Sequence, residues 1–189
     1  LRIKFLVREL GATEFSRLVD EDWQQTKDDP DLKLNLNELE SLKKDFALPI
    51  KPIDLDGFKD KVDFNYGIWK KNNVRSHKVS GHSIVNISLT KLGTAPGDAT
   101  SEQMRILAKL ADEFSSGEIR TTKRQTIVFP FVRKDQVFDL WKSLEQYDLS
   151  SPHQGTLAQI VACPGRDYCD LAKAVSIPIA TRVQERFND

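Results

Sequence analysis

The chain has 189 residues, of which 39% are apolar and 30% are charged, and its 28 basic and 28 acidic side chains cancel. A chain of this length can bury a core without disulfide or metal support. No apolar run is long enough to cross a membrane, and there is no basic excess to neutralise nucleic-acid phosphates. Composition therefore predicts a soluble globular protein that binds neither nucleic acid nor a membrane.

Two cysteines, Cys163 and Cys169, and the lack of a signal peptide argue against a secreted disulfide scaffold and favour a cytoplasmic setting. The sequence begins with Leu1 instead of Met, inside a segment with helical periodicity. We therefore expect a piece of a longer protein.

The first 64 residues predict helical and linker structure. Residues 1–24 show apolar side chains near a 3.6-residue period, which predicts a helix that Gly11 divides. Residues 25–64 are charged and rich in proline, which predicts a partly ordered linker with a short helix over residues 36–46.

From residue 65 onward the periodicity indicates alternating strands and helices. Residues 83–89 alternate apolar and polar side chains, as a strand does. A helix capped by Thr100 or Ser101 is predicted to run to about residue 115. Residues 118–121 and 126–132 are strand candidates, and Pro130 predicts that the second lies at a sheet edge or ends there.

A helix over residues 135–147 and a strand over residues 156–162 complete the pattern. The order is βαββαβ, so the predicted fold class is α+β, a ferredoxin-like half-domain flanked by helical segments. Two helices would cover one face of an antiparallel sheet. Residues 170–187 are predicted to be a helical tail that Pro178 kinks or divides.

The pair Cys163 and Cys169 is predicted to follow a strand and to open that helical tail. Thiolates are stabilised at helix N-termini, and Pro164 and Gly165 permit a turn that lets both sulfurs face one point. Five intervening residues fit a zinc site poorly, and a [4Fe–4S] cluster needs four thiolates. Spacing alone leaves three interpretations open: two core cysteines, a disulfide, or half of a cluster site.

A second segment, residues 117–126, is basic and rich in hydroxyl groups. Arg120, Lys123 and Arg124 suit the binding of carboxylates, although for this segment by itself a solvated hairpin with ordinary surface charges is the favoured interpretation. The three histidines are dispersed and show no ligand spacing.

Together these stretches resemble the siroheme-dependent sulfite and nitrite reductases. Residues 119–126 are similar to the family's Arg-x-Thr-x-x-Gln strand signature, and Cys163 and Cys169 resemble its first pair of cluster cysteines, Cys-x5-Cys. Residues 2–23 are similar to the helical end of the family's first half. The resemblance covers nearly the whole chain.

The resemblance implies a middle segment of a two-half protein. Residues 1–24 would end the first half, residues 25–64 would be a linker, residues 65–150 a ferredoxin-like half-domain, and residues 151–189 the start of a siroheme/[4Fe–4S] domain. Cys163 and Cys169 would be metal ligands, completed in the parent protein by a later Cys-x3-Cys whose last cysteine bridges to the siroheme iron. The residues that would line or support the siroheme are Arg120, Thr122, Arg124 and Gln125.

The parent protein would reduce sulfite or nitrite with six electrons at the heme-type cofactor, and ferredoxin or a flavoprotein would donate the electrons. No residue of this chain is expected to be catalytic. We expect the isolated chain to be inactive and to hold neither siroheme nor cluster, because it supplies only two of the four thiolates.

Two alternatives remain open at the level of the sequence. One is a ferredoxin-like interaction module with a redox-active Cys163–Cys169 pair. The other is a regulatory domain of the same fold in which Arg120 and Arg124 bind an anionic ligand. Fold alone does not separate them from an enzyme segment.

Overall fold

A computed structural model describes residues 3–33, 35–91 and 94–187. The chain divides into two compact units, Leu1–Leu48 and Pro49–Asp189. Outside the described residues lie the first two residues of the predicted segment 1–24 and the last two of the predicted segment 151–189. Gly93, in the loop before the predicted helix at residue 100, also lies outside them.

The first unit is helical. It contains α1 (Ile3–Leu10), α2 (Ala12–Thr26), a 3-10 turn (Pro30–Leu32) and α3 (Leu36–Asp45). Gly11 lies between α1 and α2 with φ 81°, so the predicted interruption is confirmed. Neither α1, α2 nor the 3-10 turn buries a residue.

The second unit carries the sheet. Its elements are α4 (Phe64–Asn73), β1 (Val74–Ser76), β2 (His82–Ser88), α5 (Ser101–Phe114), β3 (Arg120–Thr121), β4 (Thr126–Arg133), α6 (Val137–Glu145) and α7 (Ile177–Arg186). The described strands form one antiparallel sheet in the order β1-β2-β4-β3. This arrangement confirms the predicted α+β class of a ferredoxin-like half-domain.

The predicted strand at residues 156–162 is wrong. That segment forms turns, in which Thr156 N–H donates to the carbonyl of His153 (2.9 Å) and Gln159 N–H donates to that of Thr156 (3.2 Å). The outer position beside β2 is taken by β1, whose residue Val74 pairs with Val85. A local hairpin of β1 and β2 closes a shorter loop than pairing of β2 with residues 156–162 would, and loop closure costs less entropy when the loop is short.

The prediction for Pro130 is also wrong. Strand β4 pairs with β2 on one side and β3 on the other, so it is not an edge strand, and it continues to Arg133. Pro130 lies where the β2–β4 register shifts, between the pairs Ser83↔Val132 and Val85↔Phe129. A bulge is one of the few places where a sheet tolerates a residue without N–H.

Helix α4 was not foreseen, since residues 65–73 were assigned to the half-domain without a predicted element. The Asp63 carboxylate caps it by accepting a hydrogen bond from Tyr66 N–H (2.8 Å). Tyr66, Trp69 and Asn73, spaced three and four residues apart, are its buried face.

The helical tail is shorter than predicted. Helix α7 begins only at Ile177, so Pro178 lies in its first turn and neither kinks nor divides it. The first turn tolerates proline because its N–H groups have no intrahelical acceptor.

One core lies between the helices and one face of the sheet, as predicted. Its buried residues come from α4, α5, α6, β2 and β4 and from the ends of these elements: Tyr66, Trp69, Val85, Ile87, Leu89, Leu107, Leu110, Ala111, Phe114, Ile127, Phe129, Val132, Val137, Leu140, Trp141, Leu144 and Leu149. The β3–β4 turn lies outside this core, where it contacts the segment that leads to the cysteines.

Candidate functional site

The β3–β4 turn is built by hydroxyl groups and one left-handed residue. Thr122 N–H donates to the carbonyl of Thr126 (3.1 Å), and Gln125 N–H donates to the carbonyl of Thr122 (3.3 Å). The Thr122 hydroxyl accepts from Arg124 N–H (3.1 Å) and contacts the Thr126 hydroxyl (2.8 Å). This pattern is that of a three-residue hairpin loop, whose last residue adopts the left-handed conformation.

Gln125 holds that left-handed position with φ 55°. The conformation costs a side chain about 1–2 kcal/mol and usually selects glycine or asparagine. Its amide group binds both polar groups of one peptide residue: Nε2 donates to the carbonyl of Ala162 (2.9 Å), and Oε1 accepts from Ala162 N–H (3.1 Å). The turn is thereby joined to the residue that precedes Cys163.

The two cysteines flank a 3-10 turn, Gly165–Asp167, in the loop of residues 163–176, which we call the thiol loop. Both are free thiols, Cys163 exposed and Cys169 half-buried. The expectation that the pair opens a helix is wrong, because the chain folds back on itself here. Arg166 N–H donates to the carbonyl of Ala174 (3.1 Å). Gly165 has φ 67°, and a Cβ there would lie 2.8 Å from the backbone nitrogen of Ser176.

The chain before this thiol loop is fastened to the sheet domain by buried polar side chains. Asn73 is fully buried, and its amide donates to the carbonyls of Asn86 and Ser151 (3.0 Å each). His153 is buried, and its Nδ1 lies 3.0 Å from the carbonyl oxygen of Thr90. The Thr90 hydroxyl lies 3.1 Å from the same nitrogen, so His153 contacts two polar groups of one residue.

The chain after the thiol loop is fastened to the same place. Gln184 of α7 is fully buried and donates its amide to the carbonyl of Thr90, which His153 also contacts. Thr90 lies two residues after the end of β2. The thiol loop is therefore anchored on both sides near the end of one central strand, which gives its cysteines a defined place.

Of the four predicted siroheme-side residues, Gln125 contacts Ala162, the residue before the thiol loop. The contacts of the other three lie elsewhere. Arg120 pairs with Glu118 (2.5 Å), and its guanidinium lies 5.4 Å from the centre of the Phe131 ring. Thr122 uses its hydroxyl inside the turn, and Arg124 is exposed at the tip.

His77 packs against the same aromatic ring, that of Phe131. Its ring centre lies 5.7 Å from that of Phe131. Partial burial lowers the pKa of His77, and the nearby charges of His82, Lys78 and Arg120 lower it further. At neutral pH the ring is therefore uncharged, and the positive charge against Phe131 comes from Arg120.

A small cavity of about 230 Å³ lies beside the turn. Its lining joins the loop before α5, the turn and the thiol loop: Ala95, Pro96, Asp98, Gln125, Ala162, Pro164, Tyr168 and Ile177. The sequence did not single out Gly97, which packs against Gln125 in this junction. Its only signal was the Pro96-Gly97 pair typical of turns.

The donor set fits half of an iron–sulfur site. Cysteine side chains are the ligands that such a cluster needs, and this loop carries two of them. Within residues 3–33, 35–91 and 94–187, no group of three or more His, Cys, Asp or Glu side chains is placed to hold a metal ion. The described residues thus hold two cysteines, whereas a [4Fe–4S] cluster needs four thiolates.

Comparison with known proteins gives a consistent result. Residues 90–147 match the family described as the nitrite/sulfite reductase ferredoxin-like half domain. The chain is similar to the chloroplastic ferredoxin–nitrite reductase of Zea mays, with 33% identity over 106 residues, which is 53% of this chain and 19% of the relative. The corresponding rice (Oryza sativa subsp. japonica) protein is 30% identical over 134 residues, 61% of this chain and 22% of the relative.

The spinach (Spinacia oleracea) protein of the same name is 30% identical over 124 residues, again 61% of this chain. The chain spans about a fifth of the length of these curated relatives, 19% to 22%. Among the helices that the structure describes, none combines the length and apolar character of a membrane span.

Proposed function

Because this chain belongs to the nitrite/sulfite reductase family, we propose that the protein containing it reduces nitrite or sulfite with six electrons at a siroheme–[4Fe–4S] centre. The observation that carries the proposal is the junction of the Gln125 turn with the Cys163–Cys169 loop, where the half-domain meets the predicted ligands. When bound, the paired cofactor supplies the electron transfer to substrate.

Cys163 and Cys169 are proposed as two of the four cluster ligands. Both are free, both lie on a loop anchored on either side near the end of β2, and Cys163 is exposed. The other two thiolates would come from outside this chain. Accordingly, the isolated chain is proposed to bind no cluster stably and to be inactive.

Arg120, Thr122, Arg124 and Gln125 are proposed to form the siroheme side of the site. The support is that Arg120 and Arg124 lie in the same hairpin as Gln125, whose amide contacts Ala162, and that the carboxylates of a tetrapyrrole are bound well by guanidinium groups. Thr122 and Gln125 act inside the protein, because their polar atoms hold the turn and the Ala162 backbone.

The relatives named ferredoxin–nitrite reductase favour nitrite as the substrate and ferredoxin as the electron donor. Sulfite as substrate and a flavoprotein as donor remain the second choices. The compartment is proposed to be cytoplasmic from the two reduced thiols, although the relatives' names place those proteins in chloroplasts.

The test uses the whole protein that contains this chain, expressed with siroheme synthesis and assayed with a chemical electron donor. We expect iron, acid-labile sulfide and the conversion of nitrite to ammonia or of sulfite to sulfide. Cys163→Ser should remove the cluster and the activity, whereas Leu171→Ala, in the same loop and 82% exposed, should retain both. A whole protein that carries neither iron nor sulfide and reduces neither anion would overturn the proposal.

The same preparation distinguishes the proposed cluster site from the alternative of a redox-active cysteine pair. In that case the protein would lack a cluster, and native thiol titration would show a reversible Cys163–Cys169 disulfide. Two titratable thiols that do not pair under mild oxidation would exclude that alternative.

A further inference from the structure

Gln125 occupies a backbone position that its side chain does not favour. It is one of three non-glycine residues with positive φ among those described, and it closes a turn in which glycine or asparagine would be unstrained. Strained residues persist when their surroundings determine the conformation, and they cluster where geometry has a function. The contacts of the side chain show what holds this one.

The amide of Gln125 makes two hydrogen bonds to a single residue 37 positions away, one to the carbonyl (2.9 Å) and one from the N–H (3.1 Å) of Ala162. A single bond would fix a distance and leave the peptide free to rotate. Two bonds to the two sides of one residue fix its orientation as well. Because Ala162 directly precedes Cys163, this orientation passes into the cysteine.

Gly97 holds the side chain of Gln125 in place from the other side. Gly97 has φ 92°, and a Cβ there would approach three side-chain carbons of Gln125 to 3.0–3.1 Å. Its N–H donates to the carbonyl of Leu89 (2.9 Å), which ties the loop to the end of β2. Gln125 is therefore packed between a loop fastened to the sheet and the start of the thiol loop.

We infer that Gln125 is a positioning residue for Cys163: its amide transmits the orientation of the sheet to the cysteine backbone and does not itself reach a bound group. The function of this tether as support for a cluster ligand rests on the function proposed above. The tether itself is a property of this chain.

Cys169 provides an internal comparison. It lies beyond the 3-10 turn, and its carbonyl accepts from Ala172 N–H (3.0 Å) within the loop. The loop is closed by its own contacts between residues 165 and 176. Loss of the Gln125 tether should therefore change Cys163 and leave Cys169 nearly unchanged.

The experiment uses the 189-residue chain with Gln125→Asn and Gln125→Gly. Asparagine and glycine both accept the left-handed conformation, but the first is one methylene too short to reach Ala162 and the second has no amide. Lys123→Asn, at an exposed position of the same turn, is the matched control. The rate of N-ethylmaleimide addition to each cysteine is followed by peptide mass spectrometry, and exchange of the Ala162 amide proton by NMR.

In both Gln125 variants we expect the rate of reaction of Cys163 to rise by at least about 3-fold, because the backbone that orients this exposed thiol is no longer held and the reagent can approach the sulfur from more directions. The Ala162 amide should exchange about 10-fold faster, the factor that corresponds to one lost hydrogen bond. Cys169 and the Lys123→Asn variant should match the unaltered chain. If Gln125 served only the conformation of the turn, Gln125→Gly would have no effect on the reaction rate of either cysteine.

Unchanged Cys163 reactivity and Ala162 exchange in both Gln125 variants would overturn the tether. Equal acceleration at both cysteines would also overturn it, since that result indicates general loosening of the loop. The outcome is independent of the proposed function, because it is read in the chain without cofactor. If the whole protein holds a cluster, Gln125→Asn should weaken iron retention by about 10-fold, as loss of a group supporting a ligand does.

Discussion

Tyr66 is a buried residue whose hydroxyl donates to a charged partner, the Asp60 carboxylate, at 3.0 Å. Lys70 pairs with the same carboxylate. Burial raises the pKa of Tyr66 well above its usual value, and the negative charge of Asp60 adds to the shift. The folded protein therefore strongly prefers the protonated tyrosine.

This preference predicts a pH dependence of stability. Above pH of about 10 the unfolded chain releases the tyrosine proton while the folded chain keeps it, so the unfolded state binds fewer protons and stability falls as pH rises. The fall is at most about 1.4 kcal/mol per pH unit. Urea unfolding from pH 8 to 11 should show it.

The control for this prediction is Tyr66→Phe, which should be less stable than the unaltered chain at pH 8 but should lose less stability between pH 9 and 11. Tyr168→Phe, at a position that is 76% exposed, should behave as the unaltered chain does. Parallel curves for Tyr66→Phe and the unaltered chain would contradict the assignment of the effect to Tyr66.

Gln125 shows, also at the residue scale, how much of a residue's role can be predicted from the sequence. The sequence placed it among siroheme-side residues by resemblance, and that role is a prediction that no observation here tests. Its contact with Ala162 joins residues 37 positions apart, so the local sequence pattern could not predict this contact. Only the folded chain brings the two together.

At the scale of elements, α5 has the most complete local signal. Thr100 accepts from Gln103 N–H (3.1 Å), and the Gln103 side chain accepts from Thr100 N–H (3.0 Å), which is a capping box. Gln103 also donates to the carbonyl of Tyr147 (3.1 Å) beyond α6. The cap therefore starts α5 and also joins this helix to the segment that follows α6.

We predict that Thr100→Ala lowers the free energy of unfolding by about 1 kcal/mol, the usual effect of losing an N-cap. Ser101→Ala, one residue later and exposed, should change it by less than about 0.5 kcal/mol. Denaturant titration at neutral pH measures both. Equal effects of the two substitutions would show that the Thr100 cap does not stabilise the helix.

The elements that the sequence missed share a physical cause. Strand β1 has only three residues, half-buried or exposed, so it lacks an alternating pattern. Helix α4 mixes buried aromatic residues with Gly67, Asn72 and Asn73, which have low helix propensity. In both cases tertiary pairing, to β2 and to the core, outweighs weak local preference.

At the scale of the whole molecule, burial is distributed unevenly. All residues of the core cluster lie between Tyr66 and Leu149. Large apolar side chains of the first unit are exposed, including Ile3 (67%), Trp23 (57%) and Phe46 (83%). Since most helix stability comes from packing of an apolar face, the helices of the first unit have little to hold them in this chain.

Hydrogen exchange should therefore separate the two units. We predict that amides of α1 and α2 exchange at least about 100-fold faster than those of β2 and β4. A substitution in the core should leave the exchange rates within the first unit unchanged. Leu140→Ala should lower global stability by about 2–5 kcal/mol. Leu36→Ala, at a position that is 73% exposed, should change it by less than about 0.5 kcal/mol.

Exchange from α1 and α2 as slow as from β2 and β4 would contradict this prediction. So would an equal loss of stability in the Leu36→Ala and Leu140→Ala variants. Exchange that slows in the first unit only within the whole protein would show that other parts of that protein cover its apolar side chains.

The sequence by itself determined the α+β class, the periodic elements and the family resemblance. Alternation at β2, the 3.6-residue period of α5 and α6 and the Thr100 cap are local signals, since each is set by side chains a few residues apart. Only tertiary structure decided that β1 instead of residues 156–162 completes the sheet, that Pro130 sits in a bulge, and that Cys163 follows a residue held by Gln125. These features depend on contacts between distant parts of the chain, and such contacts form because the folded core brings those parts together.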